Sequence, residues 1–129
     1  MNPVVHFELP CNDRERVARF YRQAFGWKMD MLGPEMGNYV LATTADKDAR
    51  PDAQRGAING GIFTRTPEMP EMHPSVVIGV EDIQTAMKAV RDAGGEVMGD
   101  PMQIPGVGHY VSFLDSEHNR LSMLQPLRS

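Results

Sequence analysis

The order of apolar and polar residues at the start of the chain predicts a strand that leads directly into a helix. Residues 4–9 alternate between apolar and polar side chains, which is the period of a β-strand. The next stretch, PCNDRERVARFYRQAFG, has apolar residues at helical spacing, with Asn12 or Asp13 as the N-cap and Gly26 as the end of the helix. The apolar stripe of this helix is expected to contain Val17, Phe20, Tyr21 and Ala24.

Short strand-like runs follow the helix near residues 27–31, 39–44 and 57–63. A charged stretch, ADKDARPDAQRG, separates the second run from the third and is predicted to be a mobile loop. A later stretch, TRTPEMPEMHP, contains three prolines, which disfavour both a helix interior and a central strand. We therefore expect residues 64–74 to form an extended connector between two halves of the chain.

The pattern of the first half then starts again after the connector. The stretch SVVIGVEDIQTAMKAVRDAGGEVM has the order strand, acidic N-cap, helix, glycine and strand, and it aligns without a gap so that Asp82 matches Asp13 and Gly95 matches Gly26. Two more strand-like runs, HYVSFLD and RLSMLQ, complete the second half. The sequence thus predicts a single α+β domain of two β-α-β-β-β modules, residues 1–63 and 75–129, which pair into a curved sheet around a cleft, either within one chain or by exchange across a dimer.

Composition and charge narrow the range of partners. The chain has 129 residues and a formal net charge of −4, and its arginines near residues 14–22 are interleaved with Glu15 on one predicted helix, so no basic surface for nucleic acid is expected. The chain has neither an apolar run long enough to span a membrane nor a signal-peptide pattern. Its single cysteine, Cys11, cannot form an internal disulfide. We expect a soluble cytoplasmic protein with no nucleic-acid or membrane partner.

His6 interrupts the apolar pattern of the first strand. Val5, Phe7 and Leu9 form the apolar set that should face the helix, which leaves His6 and Glu8 on the opposite side. The same argument turns Tyr110 away from the second helix, because Val111 and Phe113 form the apolar set of that strand. These polar side chains are therefore expected to face a cleft.

Motifs along the chain resemble those of the vicinal oxygen chelate superfamily, which includes glyoxalase I, bleomycin- and fosfomycin-resistance proteins and extradiol dioxygenases. The resemblance covers nearly the whole chain, and its strongest parts are HFELPCNDRERVARFYRQAFGWKM, VIGVEDIQTAMKAVRDAGGEV and FLDSEHNRLSML. It implies a homodimer that takes a small organic molecule in the cleft between the modules. In the enzymes of this superfamily, a divalent metal is held in that cleft by two ligands from each half.

The resemblance places His6 at the ligand position of the first strand. The other ligand positions are occupied by Ser75, by Ser122 and by Asn59, with Gly60 as the alternative to Asn59. Only one of these four positions therefore keeps a typical metal ligand, and about three protein ligands are normally needed. No metal cofactor is predicted, although a rearranged site that uses His6, Glu8 and a further donor is an alternative.

We predict a glyoxalase- and bleomycin-resistance-like protein that binds a small organic molecule without the usual metal. The alternative is a metal-dependent lyase, isomerase or dioxygenase that uses His6 with non-standard ligands, and His6 and Glu8 are also the candidates for an acid–base pair. Whether the chain is an enzyme stays open, and a protein-interaction scaffold without a pocket is a third alternative. The predicted ligand contacts are His6, Glu8, Asn59, Ser75, Tyr110 and Ser122.

The turn DSEHNR departs from the family pattern at two positions. Ser116 replaces the usual proline and His118 replaces the usual glycine. Glycine is typical of a positive φ, so His118 is expected either to strain this turn or to change its type. Asn119, which matches the family, is expected to help form the turn.

Overall fold

A computed structural model of the protein describes residues 1–45, 58–68 and 72–127. It consists of two compact units, residues 6–74 (module one) and residues 1–5 with 75–129 (module two). Each unit contributes one α-helix and four strands to the described residues, in the order β-α-β-β-β, with the first two residues of the first strand assigned to module two. The predicted α+β fold is therefore confirmed.

Module one contains a sheet with the strand order β2-β3-β4-β1, in which β1 and β4 are parallel and the other neighbours are antiparallel. The three strands after the helix coincide with the predicted runs to within three residues. Residues 46–56 of the predicted charged loop, residue 57 of the third predicted strand run and residues 69–71 of the predicted connector lie outside the described residues. The elements are β1 (Val4–Cys11), α1 (Arg14–Phe25), β2 (Lys28–Met31), a short 3-10 helix (Pro34–Met36), β3 (Val40–Thr43) and β4 (Gly60–Thr64).

Helix α1 begins and ends as the sequence predicts. The Asp13 carboxylate accepts a hydrogen bond from the backbone N–H of Arg16 at 3.1 Å, and Gly26 adopts a left-handed conformation with φ of 71°. The predicted apolar stripe was wrong at Phe20, which is 54% exposed, and at Ala24, which is also exposed, whereas Ala18 is fully buried. Phe20 packs edge-on against Tyr21 at the surface, with ring centroids 5.0 Å apart.

The core of module one lies between α1 and one face of its sheet. Phe7 and Leu9 of β1 pack against this core, as expected of the apolar set of that strand, whereas Val5, its third predicted member, is 40% exposed and belongs to module two. Because successive strand residues point to opposite faces, this packing leaves His6 and Glu8 on the face of the sheet away from α1. The buried residues of this core are Cys11, Ala18, Met29, Val40, Ala42 and Ile62.

Module two repeats this arrangement, with the strand order β5-β8-β7-β6 and a parallel pair between β5 and β8. The backbone N–H of Gly79 also donates to the carbonyl of Pro3 at 2.8 Å, which ties the start of the chain to this module. None of the helices in the described part of the chain is long and apolar enough to cross a membrane. The elements are β5 (Ser75–Gly79), α2 (Ile83–Asp92), β6 (Glu96–Ile104), β7 (Gly108–Leu114) and β8 (Arg120–Pro126).

The two helices end differently. Helix α2 has 10 residues, whereas α1 has 12, so the positive φ that follows α2 falls on Gly94, at 96°. The alignment of Gly95 with Gly26 as the helix-ending glycine was therefore wrong. Gly95 is required for another reason, because a Cβ at this position would lie 2.7 Å from the carbonyl oxygen of Leu114.

The turn between β7 and β8 keeps a left-handed residue, since His118 has φ of 64°. This left-handed conformation is the one that glycine would adopt without strain, so histidine carries a conformational cost at this position. The Asp115 carboxylate organises the turn by accepting hydrogen bonds from the backbone of Glu117 and from both the side chain and the backbone of Asn119. The bonds from Asn119 and then that from Glu117 lower the pKa of Asp115 below its ordinary value.

Candidate functional site

The candidate site in module one is a hydrogen-bonded group of three side chains on the sheet face away from α1. The hydroxyl of Tyr39 donates to Glu8 Oε2 at 3.1 Å, and its oxygen lies 3.1 Å from His6 Nε2. We call His6, Tyr39 and Glu8 the triad. All three side chains are half-buried, so each polar group needs a partner, and Tyr39 supplies one for the other two.

Tyr39 reaches β1 only because residue 61 is a glycine. Strand β4 lies between β3 and β1, and Gly61 pairs with both Leu41 and Glu8. The phenol ring of Tyr39 lies directly over Gly61, so that a Cβ at this position would overlap the ring. Sequence reasoning missed Tyr39, although two adjacent glycines within a strand are a known sign of close approach by another group.

The environment of the triad favours a neutral imidazole. Burial lowers the pKa of His6 below its ordinary value of 6.5, and the nearby negative charge of Glu8 opposes this shift without reversing it. A neutral imidazole has one N–H donor and one acceptor nitrogen. The triad therefore offers a ligand an oriented neutral ring beside a carboxylate.

Asn59 has a structural role in module one. Its amide oxygen accepts hydrogen bonds from the backbone N–H groups of Thr44 at 2.8 Å and Ala45 at 3.2 Å, which joins the end of β3 to the start of β4. The gapless alignment of the two halves matches Glu8 with Val77, and Gly61 pairs with Glu8 just as Ser122 pairs with Val77. The β4 residue that corresponds to Ser122 is Gly61, and not Asn59 or Gly60.

Module two carries a row of hydroxyl groups on the equivalent face of its sheet. Ser122 Oγ lies 2.7 Å from the Tyr110 hydroxyl and 2.9 Å from Ser112 Oγ. Ser122 and Ser112 are only 3% and 8% exposed, so their mutual bond satisfies groups that water reaches poorly. Ser75 is half-buried at the start of β5, on the same side of that strand as Val77, the partner of Ser122.

The donor atoms at the family ligand positions do not fit a divalent metal. His6 Nε2 is in contact with Tyr39, the Asn59 amide oxygen is bound to backbone N–H groups, and the Ser122 hydroxyl is bound within module two. A serine hydroxyl is also not among the usual zinc ligands. Across residues 1–45, 58–68 and 72–127 there is no group of three or more His, Cys, Asp and Glu side chains that could hold a metal ion.

Comparisons with known proteins establish the family. Residues 4–45 match the family model described as bleomycin resistance protein-like N-terminal. A glyoxylase-like domain-containing protein from Didymella fabae is 30% identical over 115 residues, which cover 87% of this chain and 84% of that protein. The chain belongs to the glyoxalase-like family of the vicinal oxygen chelate superfamily, as the sequence motifs indicated.

Solved structures confirm the fold over the full length of the chain. A hypothetical protein from Bacillus halodurans C-125 aligns with a TM-score of 0.70 at 13% identity, covering 99% of this chain and 96% of that one. Methylmalonyl-CoA epimerase from Mycobacterium tuberculosis aligns with a TM-score of 0.69 at 11% identity, covering 97% and 88%. A variant of the Streptomyces coelicolor epimerase in complex with 2-nitronate-propionyl-CoA gives 0.66 at 16% identity, covering 100% and 99%. Identities this low establish the fold and leave the reaction undetermined.

Proposed function

We propose that this protein binds a small organic molecule on the face of module one that carries the triad, without the metal ion typical of its superfamily. The observation that carries this proposal is the contact between His6 Nε2 and the Tyr39 hydroxyl. This contact commits Nε2 to a phenol, and across residues 1–45, 58–68 and 72–127 no group of three or more His, Cys, Asp and Glu side chains could join the other ring nitrogen in holding a metal ion. The imidazole is thus oriented for hydrogen bonding.

The surroundings of the triad support a site for an organic ligand. Leu41, which pairs with Gly61 and follows Tyr39 on the same face, is 39% exposed and adds apolar surface next to the polar groups. Small-molecule sites typically combine apolar surface with a few oriented polar groups. Among the other predicted ligand contacts, Asn59 and Ser122 are disfavoured, because the Asn59 amide oxygen is bound to backbone N–H groups and the Ser122 hydroxyl to Tyr110 and Ser112. Ser75 and Tyr110 belong to module two and stay predictions.

A ligand screen tests this proposal. Planar antibiotics and aromatic metabolites would be screened by thermal shift, and hits would be measured by calorimetry on wild type and Tyr39→Phe. Loss of the hydroxyl that orients His6 and Glu8 is expected to weaken binding by about 5- to 10-fold, which corresponds to one hydrogen bond. Tyr21→Phe, which makes the same change on a ring stacked against Trp27 in another part of module one, is expected to bind like wild type.

The outcomes of this screen are distinct. A hit that binds wild type and Tyr21→Phe equally, and Tyr39→Phe more weakly, supports the triad as the site. Equal weakening in both variants would place the ligand elsewhere, and a screen of both ligand classes without any hit would contradict the binding function.

Elemental analysis tests the absence of a metal. Protein purified without chelator is expected to contain far less than one equivalent of Ni, Zn, Mn or Fe. One equivalent of any of these metals in wild type, lost in His6→Ala, would contradict the proposal and support the metal-dependent alternative. Wild-type content retained in His6→Ala would indicate a metal held away from the triad.

Acid–base chemistry is a second candidate, favoured by the bonds that Tyr39 makes to both His6 and Glu8. The Tyr39 hydroxyl, with its exchangeable proton, thus connects the Glu8 carboxylate to the His6 imidazole. For every hit with a carbonyl group, deuterium uptake from D₂O at the adjacent carbon would be followed by NMR. Uptake that is faster with wild type than with His6→Ala supports catalysis, and equal rates would restrict the function to binding.

We also propose a cytoplasmic homodimer, in line with the family. The buried position of the single cysteine, Cys11, is compatible with a reducing compartment. Light scattering during size-exclusion chromatography is expected to give twice the mass of one chain. The mass of a single chain at micromolar concentration would contradict the dimer.

A further inference from the structure

The direction of one hydrogen bond in the triad determines the direction of the other. Tyr39 donates its hydroxyl proton to Glu8 Oε2. A phenol has a single proton, so at the contact with His6 Nε2 the Tyr39 oxygen must be the acceptor. The proton in that contact is then on His6 Nε2, and the second ring nitrogen, Nδ1, carries the lone pair.

We infer that Glu8, acting through Tyr39, holds His6 in the Nε2–H tautomer, and that Nδ1 is the hydrogen-bond acceptor for a ligand with an O–H or N–H group, such as a phenol. The ligand part of this inference rests on the proposed function. The tautomer part concerns the unliganded protein and is independent of it. Glu8 and Tyr39 are positioning residues in this scheme, and His6 is the residue that contacts the ligand.

The opposite tautomer is disfavoured by the geometry of the triad. If His6 carried its proton on Nδ1, Nε2 would be an acceptor and would need the proton of Tyr39. The Tyr39 oxygen would then face the Glu8 carboxylate at 3.1 Å with no proton between two oxygen acceptors. Glu8 therefore selects the tautomer through its bond from Tyr39. Gly61 makes the selection feasible, because only glycine lets the ring of Tyr39 cross β4.

Long-range ¹H–¹⁵N correlation NMR of histidine-labelled protein tests the tautomer directly. Wild type, at a pH where His6 is neutral, is expected to show the Nε2–H pattern. In Glu8→Ala, Tyr39 can donate to Nε2 instead, so the Nδ1–H population should rise. The matched control is Glu15→Ala, which removes an exposed carboxylate from α1 and should leave the wild-type pattern.

The inference is overturned by an Nδ1–H pattern in wild type or by an unchanged pattern in Glu8→Ala. If Glu8→Ala does not fold, a second variant tests the tautomer. In Tyr39→Phe, the His6 tautomer ratio is expected to move toward that of the exposed His73, and a ratio that stays at the wild-type value would also overturn the inference.

Phenol and anisole form a matched pair of probes for the ligand chemistry, since anisole has a methyl group in place of the donor proton. Titration with phenol is expected to move the His6 Nδ1 resonance upfield, as acceptance of a hydrogen bond does, and anisole should not move it. If phenol has no effect while the tautomer is as stated, the ligand assignment is overturned and the tautomer stands. Screening hits that bind the triad but lack any O–H or N–H donor would overturn the ligand assignment while leaving the proposed binding function intact.

Discussion

Tyr39 and Tyr110 occupy equivalent positions in the two modules, yet their hydroxyls bond to different strands. Tyr39 crosses Gly61 and reaches His6 and Glu8 on β1, two strands away. Tyr110 bonds instead to Ser122 on the adjacent strand β8. Gly61 and Ser122 are themselves equivalent. Glycine leaves room for the Tyr39 ring to reach β1, whereas serine provides a side chain to which Tyr110 bonds.

Gly61→Ala is expected to destabilise the protein by about 1–3 kcal/mol, because the new methyl group overlaps the Tyr39 ring. Urea denaturation measures this cost, and a double-mutant cycle gives its cause. In a Tyr39→Ala background the ring is gone, so Gly61→Ala should cost much less. Equal costs in the two backgrounds would show that Tyr39 is not the group that Gly61 accommodates.

Ser122→Ala is expected to lower the free energy of unfolding by about 1–3 kcal/mol, because it removes the middle hydroxyl of the row and leaves the buried Ser112 without this partner. Ser112→Ala removes an end of the row and leaves the bond between Tyr110 and Ser122 in place. It should therefore cost less than Ser122→Ala in the same urea measurement. The reverse order would mean that the row is not bonded as described.

His118→Gly is expected to raise the free energy of unfolding by up to about 1 kcal/mol. The residue has a positive φ, which glycine adopts without strain, and the relief outweighs the added freedom of glycine in the unfolded chain. Glu117→Gly is the matched control, since Glu117 is not among the residues with positive φ and should only lose stability. A lower melting temperature for His118→Gly would show that the His118 side chain stabilises the turn.

The lowered pKa of His6 makes stability depend on pH in a defined direction. The unfolded chain, with the ordinary value of 6.5, takes up a proton before the folded chain does as the pH falls. The contribution of His6 to stability is therefore complete above pH 6.5 and decreases below it, toward the folded pKa.

Urea denaturation of wild type and His6→Asn at about pH 7.5 and about pH 5.5 checks this direction. Wild type should lose more stability on acidification than His6→Asn does, whereas His73→Asn, at an exposed position, should follow wild type. The same loss in wild type and His6→Asn would contradict a lowered pKa at His6.

The sequence alone was sufficient for the order of elements and for the faces of β1. Alternation identified Phe7 and Leu9 as core residues, because a strand with one buried face must place apolar side chains at every second position. The same alternation placed His6 and Glu8 on the other face. The repeat supplied the second module, since a duplicated pattern implies a duplicated unit.

The side-chain contacts within the site could not be predicted from the periodicity of the sequence. Alternation gives the face of a side chain but not its partner on another strand, and Tyr39 is 31 residues from Glu8 along the chain. The end of α2 was misassigned because two glycines, Gly94 and Gly95, stand together, and only the length of the helix determines which one takes the positive φ. The bonds of Asn59 to Thr44 and Ala45 could not be predicted either, because they depend on how β3 and β4 pair.

The adjacent glycines of β4 have a spectroscopic consequence. Gly60 lies against the ring of Phe7 on one face of the sheet, and Gly61 lies against the ring of Tyr39 on the other. Ring currents should shift the α-proton resonances of both glycines away from their usual range. The Gly60 signal reports on the core, and the Gly61 signal reports on the candidate site. The protein thus contains two native reporters, and a displacement of the Tyr39 ring would move the signal of Gly61 while that of Gly60 stays fixed.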